Sequence, residues 1–348
     1  MQNKIRVSII GGTGYTASEL IRILLYHPMV EIVSIVSSTS KGLYLTDIHK
    51  DLIGETNLKF TETINNPQVI FLCLGHGLSK DFLLNNNLPD KCKIIDLGND
   101  FRLSEQYGNK KFIYGLSDTF SNEIKNADYI ANPGCFATAI QCALVPLAKN
   151  NILDKEIHIT AITGSTGAGK KLSEKSHFSY REGNISIYKP FEHQHIGEIK
   201  KSLSKLSNGK DYTLNFVPMR GNFTRGIFAS VYTKLTEKFN EEIANKQEAK
   251  DSNIEITANK ILEKIENLYK DYYKNSPFVH ICKEEISLKE VINTNKVLLH
   301  IEIHNGYVHI TSILDNLLKG ASGQAVENMN LMFNLKRDCG LRFKPSAF

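Results

Sequence analysis

The chain has 348 residues, of which 41% are hydrophobic and 23% are charged. This balance is typical of a globular protein and excludes a mostly disordered or fibrous chain, and the length predicts two domains. The net charge of +5 is small and the basic residues are dispersed, so we expect no nucleic-acid partner. No apolar run is long enough to cross a membrane, so we expect no membrane partner either.

The start of the chain and its cysteines predict a cytoplasmic location. The first residues lead directly into the apolar run Ile5–Ile10, which is too short for the core of a signal peptide. The six cysteines are scattered and form no Cys-x-x-Cys pair, which is not typical of a disulfide-rich secreted protein or a zinc ribbon. Their number alone leaves open whether any one of them is reactive.

Residues 1–150 alternate β-rich runs with helical stretches, which predicts an α/β Rossmann domain with a mostly parallel sheet. The loops after parallel strands meet at one edge of the sheet, where ligands bind. In chain order, we predict strands at Ile5–Ile10, Glu31–Val36, Val69–Leu74, Lys93–Leu97 and Asp128–Ala131, and helices at Ser18–Tyr26 and Phe136–Lys149.

From about residue 151 the strand-like runs stand farther apart, which predicts an α+β domain over residues 151–315. Residues 236–253 are polar, and we interpret them as a helical or partly mobile surface insertion. Ala325–Leu335 has the pattern of a final amphipathic helix. The predicted strands of this part are Ile157–Thr163, Thr213–Val217, Gly226–Lys234 and Val297–His304.

The pattern Gly12-x-Gly14-x-x-Ala17 follows a buried strand and opens a helix, which is the context of a dinucleotide-binding fingerprint. Glycines let backbone N–H groups approach a pyrophosphate, which the helix N-terminus then faces. An ordinary glycine-rich turn is the alternative. The predicted cofactor contacts of this loop are Gly11, Gly12, Thr13, Gly14, Tyr15 and Thr16.

The end of the second strand favours NADP(H) over NAD. An NAD site usually has an acidic residue there for the ribose 2′-hydroxyl, and none is present. Ser37, Ser38 and Lys41 offer hydroxyls and a positive charge for a 2′-phosphate, although Lys41 could equally be a solvated loop charge. Further along, residues 164–171 nearly match a P-loop, but Lys171 stands where Mg²⁺ needs Ser or Thr, so we reject an ATPase and keep the loop as a phosphate or substrate contact.

Cys135 follows the turn Asn132-Pro133-Gly134 and opens a predicted helix at the ligand-binding edge of the sheet. A helix N-terminus stabilises a thiolate, and free N–H groups there hold an oxyanion, so we predict a nucleophile. A buried structural thiol is the alternative. A base or proton donor is then needed, and His193-Gln194-His195 offers two, although a metal site is excluded only by the lack of a third ligand at suggestive spacing.

Together these residues resemble the N-acetyl-γ-glutamyl-phosphate reductase family of arginine biosynthesis, which is related to aspartate-semialdehyde dehydrogenase. The resemblance covers nearly the whole chain. Its motifs, in order, are Gly11-Gly12-Thr13-Gly14-Tyr15-Thr16-Ala17, Asp96-Leu97-Gly98-Asn99-Asp100-Phe101-Arg102-Leu103, Tyr114-Gly115-Leu116, Asn132-Pro133-Gly134-Cys135, Thr163-Gly164-Ser165-Thr166-Gly167-Ala168-Gly169, Tyr188 with His193-Gln194-His195, Arg225-Gly226-Ile227 and the run from Asn316 to Asn330.

The resemblance implies NADPH-dependent reduction of an acyl phosphate to an aldehyde, with release of phosphate, through a thioester on Cys135. It also implies that the C-terminal segment 316–348 completes the Rossmann domain and that the protein is a homodimer or homotetramer. His195 matches the general acid/base, with His193 as a second candidate. Arg102 and Arg225 suit an anionic substrate, with surface salt bridges as the alternative. The remaining matched positions are Asn132 and Tyr188 on the substrate side, and Ser165, Gly167 and Asn316 on the cofactor side.

Three positions depart from the family pattern: Ala17 in the fingerprint, Gln194 where Arg is common, and Ser322 where Ala is common. Two alternatives remain open. A substrate one methylene longer, or shorter and unacylated, leaves no clear mark in a sequence because one methylene discriminates by only about 1–3 kcal/mol. A non-catalytic NADP-binding regulatory protein is the other, and the presence of both Cys135 and His195 argues against it.

Overall fold

The computed structural model describes residues 4–239, 241 and 254–346 of the chain. Most of the predicted insertion at 236–253 therefore lies outside the described residues. Contacts divide the chain into two compact units. The first unit contains Met1–Gly134, Ala168–Lys171 and Leu317–Phe343, and the second contains Cys135–Gly167, Leu172–Asn316 and Lys344–Phe348.

The first unit is a Rossmann-type α/β fold. Within residues 4–134, seven strands form one sheet in the order β2-β1-β3-β4-β7-β6-β5, in which only β5 and β6 pair antiparallel. The strand order reverses at β1, which pairs with β2 on one side and β3 on the other. The elements are β1 (Ile5–Ile10), α1 (Tyr15–Leu25), β2 (Val30–Val36), α2 (Leu45–Ile48), β3 (Val69–Leu72), α3 (Leu78–Asn85), β4 (Lys93–Asp96), β5 (Gln106–Tyr107), β6 (Lys110–Tyr114), α4 (Ser121–Lys125) and β7 (Tyr129–Ala131).

The second unit is an α+β fold around a mixed sheet. Within the described residues from 153 to 314, seven strands follow the order β12-β13-β14-β11-β8-β10-β9. β8 pairs parallel with β10 and antiparallel with β11. The elements are α5 (Cys135–Lys149), β8 (Leu153–Thr163), α6 (Phe178–Arg181), β9 (Ser186–Ile187), α7 (His195–Leu206), β10 (Thr213–Arg220), β11 (Ile227–Leu235), α8 (Ile254–Tyr273), β12 (Val279–Cys282), β13 (Val297–His304) and β14 (Tyr307–Leu314).

The helix α5 forms the centre of the second unit and fixes the position of Cys135. Every residue from Phe136 to Ala148 is buried, which explains the apolar run in this stretch. Two distant hydroxyls hold its backbone: Tyr273 donates to the carbonyl of Cys142 at 2.8 Å and Ser312 to that of Ala139 at 2.8 Å. The border expected at residue 150 therefore differs from the division by contacts by this one helix.

The last helix, α9 (Gly323–Met332), follows a π turn at Leu318–Ser322 and lies in the first unit. The expectation of an amphipathic helix was wrong, because all ten of its residues are buried. Its polar side chains face hydrogen-bonding partners instead of water: Asn328 donates to the carbonyl of Gly115 at 2.9 Å, and Asn330 to that of Cys339 at 2.9 Å. No helix among the described residues is long and apolar enough to cross a membrane.

A buried ion network joins this helix to the rest of the first unit. The Lys319 ammonium lies 2.7 Å from Asp118 and 2.7 Å from Glu327, and all three side chains are nearly inaccessible to water. Arg337 contacts the same two carboxylates at 2.5 Å. Two cations and two carboxylates thus balance within the core.

Candidate active site

The glycine-rich loop after β1 needs two of its glycines for packing. Gly11 has a φ of +84°, and a Cβ there would lie 2.7 Å from the carbonyl oxygen of Cys73. A Cβ on Gly12 would lie 2.4 Å from a methyl group of Ile35. These contacts press the loop against the neighbouring strands, so both positions exclude a side chain for internal reasons.

Gly14 differs from its neighbours, because a Cβ there would meet no atom within 4 Å. It is the N-cap of α1, where no side chain caps the helix and the first turn contains no acidic residue. The fold therefore leaves the helix N-terminus open at the residue where the fingerprint requires a close approach of backbone and pyrophosphate. This open space fits a dinucleotide phosphate, which a capping side chain would block.

The end of β2 provides the polar groups expected for a 2′-phosphate, but one of them is already engaged. Ser37 is buried, whereas Ser38 is exposed. The exposed Lys41 pairs with Glu62, which comes from the segment that follows β2 in the chain. The selection of NADP through Ser37, Ser38 and Lys41 stays a prediction, with Glu62 as a competitor for the ammonium group of Lys41.

Arg102 and Asn132 connect loops within the first unit. The Nε of Arg102 donates to the Asn132 carbonyl at 2.9 Å and its Nη2 to the Leu97 carbonyl at 3.1 Å. The Asn132 amide donates to the Ala321 carbonyl at 3.0 Å and accepts from Asn328 at 3.1 Å. These bonds hold the loops after β4 and β7 in place, and the substrate contacts of Arg102 and Asn132 stay predictions.

Cys135 is the first residue of α5 and is partly exposed. The positive end of a helix of 15 residues favours a thiolate at this position. The remaining cysteines have other surroundings. Burial raises the pKa of Cys73 far above its ordinary value and that of Cys92 to about 12, so neither is a nucleophile at neutral pH.

The two predicted histidines lie together beside the residue that follows Cys135. The ring centroids of His193 and His195 are 4.5 Å apart, and those of His193 and Phe136 are 5.5 Å apart. The backbone N–H of His195 donates to Nδ1 of His193 at 3.2 Å. The pKa of His193 is lowered to about 4, first by burial and then by the positive charges of Lys189 and Arg220. His193 is therefore neutral at pH 7 and carries its proton on Nε2.

His195 differs from its neighbour because it has a carboxylate beside it. It is buried at the first position of α7, and its Nε2 lies 3.7 Å from the Oε1 of Glu198, which is also buried. A carboxylate at this distance stabilises the protonated imidazole. Sequence reasoning missed Glu198, although the three-residue spacing from His195 on a helix would have placed both on one face.

Tyr188 reaches this group because its segment runs along β10. The N–H of Tyr188 donates to the Pro218 carbonyl at 3.1 Å, and its ring centroid lies 5.7 Å from that of His193. Burial first, and then the negative charge of a Cys135 thiolate, raise the pKa of Tyr188 to about 12, so the phenol stays protonated as a hydrogen-bond donor.

The backbone between Tyr188 and His193 is strained. Lys189 has a φ of +46° and Phe191 a φ of +61°, in a region that residues other than glycine rarely adopt. The N–H of Phe191 donates to the Phe216 carbonyl at 2.8 Å, which anchors the turn to β10. Strain of this kind persists where the surroundings impose it, and it often marks functional sites.

The remaining predicted residues are held inside the second unit. Arg225 donates through two nitrogens to the fully buried Asp315, at 3.0 and 3.1 Å. The Asn316 amide accepts from the Gly226 N–H at 2.7 Å and donates to Thr166 at 3.0 Å. Asn316 thereby ties β11 to the loop that contains Ser165 and Gly167. The substrate role of Arg225 and the cofactor roles of Asn316, Ser165 and Gly167 stay predictions.

That loop is not a P-loop. It forms a short 3-10 turn at Ser165–Ala168 after β8 and leads into no helix, whereas a P-loop must open one. In the part of the chain that the structure describes, no group of three or more His, Cys, Asp or Glu side chains could hold a metal ion.

Comparisons with known families agree with both units. The model described as "Semialdehyde dehydrogenase, NAD binding domain" matches residues 6–127, and the model described as "Semialdehyde dehydrogenase, dimerisation domain" matches residues 135–252 and 249–316. Among solved structures, aspartate semialdehyde dehydrogenase II from Vibrio cholerae has a TM-score of 0.68 at 14% identity, over 95% of this chain and 99% of that one. At this identity the likeness shows the fold.

Full-length relatives narrow the family. The N-acetyl-gamma-glutamyl-phosphate reductase of Flavobacterium johnsoniae is 50% identical over 99% of this chain and 100% of its own length. The protein of the same name from Bacteroides thetaiotaomicron is 49% identical with the same coverage. Because relatives of this name are 49–50% identical over nearly the full length of both chains, the chain belongs to the N-acetyl-gamma-glutamyl-phosphate reductase family.

Proposed function

We propose that this protein reduces N-acetyl-L-glutamyl 5-phosphate to N-acetyl-L-glutamate 5-semialdehyde with release of phosphate, a step of arginine biosynthesis, and that Cys135 is its nucleophile. The observation that carries the proposal is the thiol at the start of α5, next to the Phe136 ring on which His193 and His195 pack. A thiolate, a proton carrier and a dinucleotide loop are the parts that this reaction requires.

NADPH is the proposed cofactor, and it supplies a hydride when bound. The loop from Gly11 to Thr16 would hold its pyrophosphate, since the N-terminus of α1 is open at Gly14. The hydroxyls of Ser37 and Ser38, with Lys41, are the proposed partners of its 2′-phosphate. No acidic residue stands between 37 and 41 to favour NAD instead.

The reaction begins at the Cys135 sulfur, which attacks the acyl carbon and forms a thioester while the carbon–oxygen bond to phosphate breaks. His195 takes the thiol proton and passes it to the departing phosphate, and Glu198 stabilises the charged imidazole in between. After reduction of the thioester carbon, the carbon–sulfur bond breaks, the aldehyde leaves and the Cys135 thiolate is restored.

His193 and Tyr188 remain uncharged through these steps. With a pKa of about 4, His193 offers its Nε2 proton as a hydrogen bond and does not exchange it near pH 7. Tyr188, with a pKa of about 12, does the same through its phenol. Two neutral donors near the thiol suit an oxygen that becomes negative in the transition state, so His195 is the proposed acid/base and His193 a donor.

We further propose a homo-oligomer, a dimer or a tetramer, in the cytoplasm. The match of residues 135–252 and 249–316 to a dimerisation domain supports the first part. None of the six cysteines, all of which the structure describes, forms a disulfide bond, which suits a reducing compartment. Sedimentation of the purified protein gives the subunit number directly.

The test is an NADP-linked assay in the reverse direction, with N-acetyl-L-glutamate 5-semialdehyde and inorganic phosphate. We expect Cys135→Ser to lower turnover by roughly 10³-fold or more, because a serine hydroxyl is not ionised at neutral pH. Cys282→Ser is the matched control, since Cys282 is also a partly exposed thiol of the second unit and has no proposed role.

Two results would contradict the proposal. Full activity of Cys135→Ser would exclude the covalent route. A wild-type preference for the semialdehyde with one more methylene, or for the shorter unacylated one, would assign a different substrate with the same chemistry.

A further inference from the structure

The two arginines expected to bind the anionic substrate are both engaged within the protein. Arg102 donates to two backbone carbonyls, those of Asn132 and Leu97. Arg225 makes a two-pronged ion pair with the fully buried Asp315, which neutralises its charge. A guanidinium in such a pair has lost most of its attraction for a second anion.

A third arginine, which sequence reasoning did not single out, lies beside the histidine pair. Arg220 is the last residue of β10, and its guanidinium carbon lies 4.8 Å from the ring centroid of Tyr188. The Tyr188 ring also packs against the His193 ring, and the centroids of these two rings are 5.7 Å apart. Arg220, Tyr188 and His193 thus form one continuous group in the second unit.

Arg220 retains its charge and part of its hydrogen-bonding capacity. In contrast to Arg225, it forms no ion pair with a carboxylate in the part of the chain that the structure describes, and its Nε is buried without a hydrogen-bond partner. Its backbone is fixed, because the Arg181 side chain donates to the Arg220 carbonyl at 3.2 Å. A buried donor without a partner is costly, and a bound anion would satisfy it.

The electrostatics of the group point in the same direction. The positive charges of Arg220 and Lys189 both lower the pKa of His193, and Arg220 also lowers that of Tyr188, which burial and a Cys135 thiolate raise. The protein therefore concentrates positive charge around a neutral histidine. Such an excess attracts an oxyanion and is relieved by it.

We propose that Arg220 binds an anionic group of the acyl-phosphate substrate beside Cys135. This inference rests on the proposed function for the identity of the substrate. Two groups of that substrate share the required chemistry, the phosphate and the carboxylate. The guanidinium can bind each of these groups through two parallel charge-assisted hydrogen bonds. The KM values of phosphate and of the semialdehyde distinguish the two cases.

The test compares Arg220→Met, which removes the charge, with Arg220→Lys, which keeps the charge and loses the fork. Arg342→Met is the matched control, because Arg342 is exposed and forms a surface pair with Asp338. In the reverse assay we expect Arg220→Met to raise the KM of one reactant, either phosphate or the semialdehyde, by roughly 10- to 100-fold, the value of a charge-assisted hydrogen bond. Arg220→Lys should recover part of that loss.

The KM that rises identifies the group that Arg220 binds. A higher KM for phosphate would indicate the phosphoryl oxygens, and a higher KM for the semialdehyde would indicate the carboxylate. A structural role would instead lower kcat and the unfolding midpoint together, with both KM values unchanged in the remaining folded protein. That outcome, or a KM effect equally large in Arg342→Met, would overturn the inference.

Direct binding separates this inference from the proposed function. Calorimetry with inorganic phosphate and with N-acetyl-L-glutamate, each added to the protein without NADPH, measures anion binding in the absence of turnover. If the wild type lacks the proposed activity but binds one of these anions only when Arg220 is present, the function is wrong and the anion site stands. If Arg220→Met binds both as the wild type does, the anion site is wrong whatever the activity.

Discussion

The charged groups around Lys319 in the first unit and those around His193 in the second unit differ in how their charges are balanced. In the first unit, Lys319 and Arg337 share the carboxylates of Asp118 and Glu327 at 2.5–2.7 Å, so that every charge has an opposite neighbour. In the second unit, Lys189 and Arg220 both lower the pKa of His193, which has no charge of its own to offset them.

This difference in charge balance distinguishes a group that stabilises the fold from a group that is suited to catalysis or binding. A balanced network keeps its charges over a wide pH range, and Arg337 shows this because the two carboxylates raise its pKa against the effect of burial. An unbalanced group has pKa values far from the ordinary ones and a tendency to bind ions, which are the properties of active sites. We therefore expect substitutions in the two units to act on different measurable quantities.

The largest expected effect is on turnover in the second unit. His195→Asn removes the proposed acid/base and should lower kcat by roughly 10²- to 10⁴-fold. The unfolding midpoint should change little, since Asn keeps a polar group in the same place. Glu198→Gln should fall between this variant and the wild type, because it removes only the charge that stabilises the imidazolium. A His195→Asn enzyme with wild-type kcat would assign the proton transfer elsewhere.

In the first unit, an effect of similar size should appear as a loss of stability and not as a loss of turnover. Lys319→Met leaves two buried carboxylates with one cation and should lower the free energy of unfolding by about 3–5 kcal/mol. Denaturant titration measures this loss, and kcat per folded molecule should stay within about threefold of the wild type. The exposed pair Arg342–Asp338 offers the control, because Arg342→Met should cost no more than about 1 kcal/mol. A Lys319→Met protein with wild-type stability and altered turnover would contradict a purely structural role for this network.

Substitutions at two glycines of one loop should have smaller effects, one on stability and the other on cofactor binding. Gly12→Ala places a Cβ 2.4 Å from Ile35 and should cost about 1–3 kcal/mol of stability. Gly14→Ala places a Cβ in open space, so the free energy of unfolding should stay within about 1 kcal/mol of the wild type. NADPH binding should weaken roughly tenfold, because the Cβ would contact the pyrophosphate. Calorimetric titration with NADPH and thermal unfolding of both variants test the pair. Equal NADPH affinity of Gly14→Ala and the wild type would place the phosphates elsewhere.

The smallest effect concerns pH. His193 has a pKa of about 4 when folded and near 6.5 when unfolded, so the unfolded chain binds the proton first as pH falls. Stability is therefore lost as pH drops from about 6.5 towards 4, by roughly 0.5–1 kcal/mol between pH 7 and pH 6. His193→Asn should remove this part of the pH dependence, which denaturant titrations at the two pH values measure. An NMR titration that gave His193 a midpoint near 6.5 would contradict the prediction.

Much of the fold followed from local patterns. β1 and β13 have the predicted limits, and the helix that follows Asn132-Pro133-Gly134 begins one residue earlier than predicted, at Cys135 itself. Gly11 follows β1 directly, Pro133-Gly134 precedes α5, and β13 alternates apolar and polar residues from Leu299 to His304, so that the local signals for these elements are strong. The strand β14 was missed, because its run of residues from Tyr307 to Leu314 contains His, Thr and Ser among the apolar positions.

The errors arose where burial depended on distant partners. The helix α9 contains Glu327, Asn328 and Asn330, which predict a water-facing side, yet the structure buries all three against Lys319, Gly115 and Cys339. The pattern of polar residues along a helix cannot distinguish a solvated face from a face of internal hydrogen bonds.

The sequence by itself indicated the glycine-rich loop and the thiol at a helix start, because each depends on residues adjacent in the chain, and it indicated the family through motifs that occur in order along the chain. Only the tertiary structure decided what the polar side chains do. It separated His193 from His195 through burial, two cations and one carboxylate, and it engaged Arg102 and Arg225 with internal partners. Charge and hydrogen-bonding capacity are altered by neighbours that the fold brings from distant segments, and no local pattern records which neighbours those are.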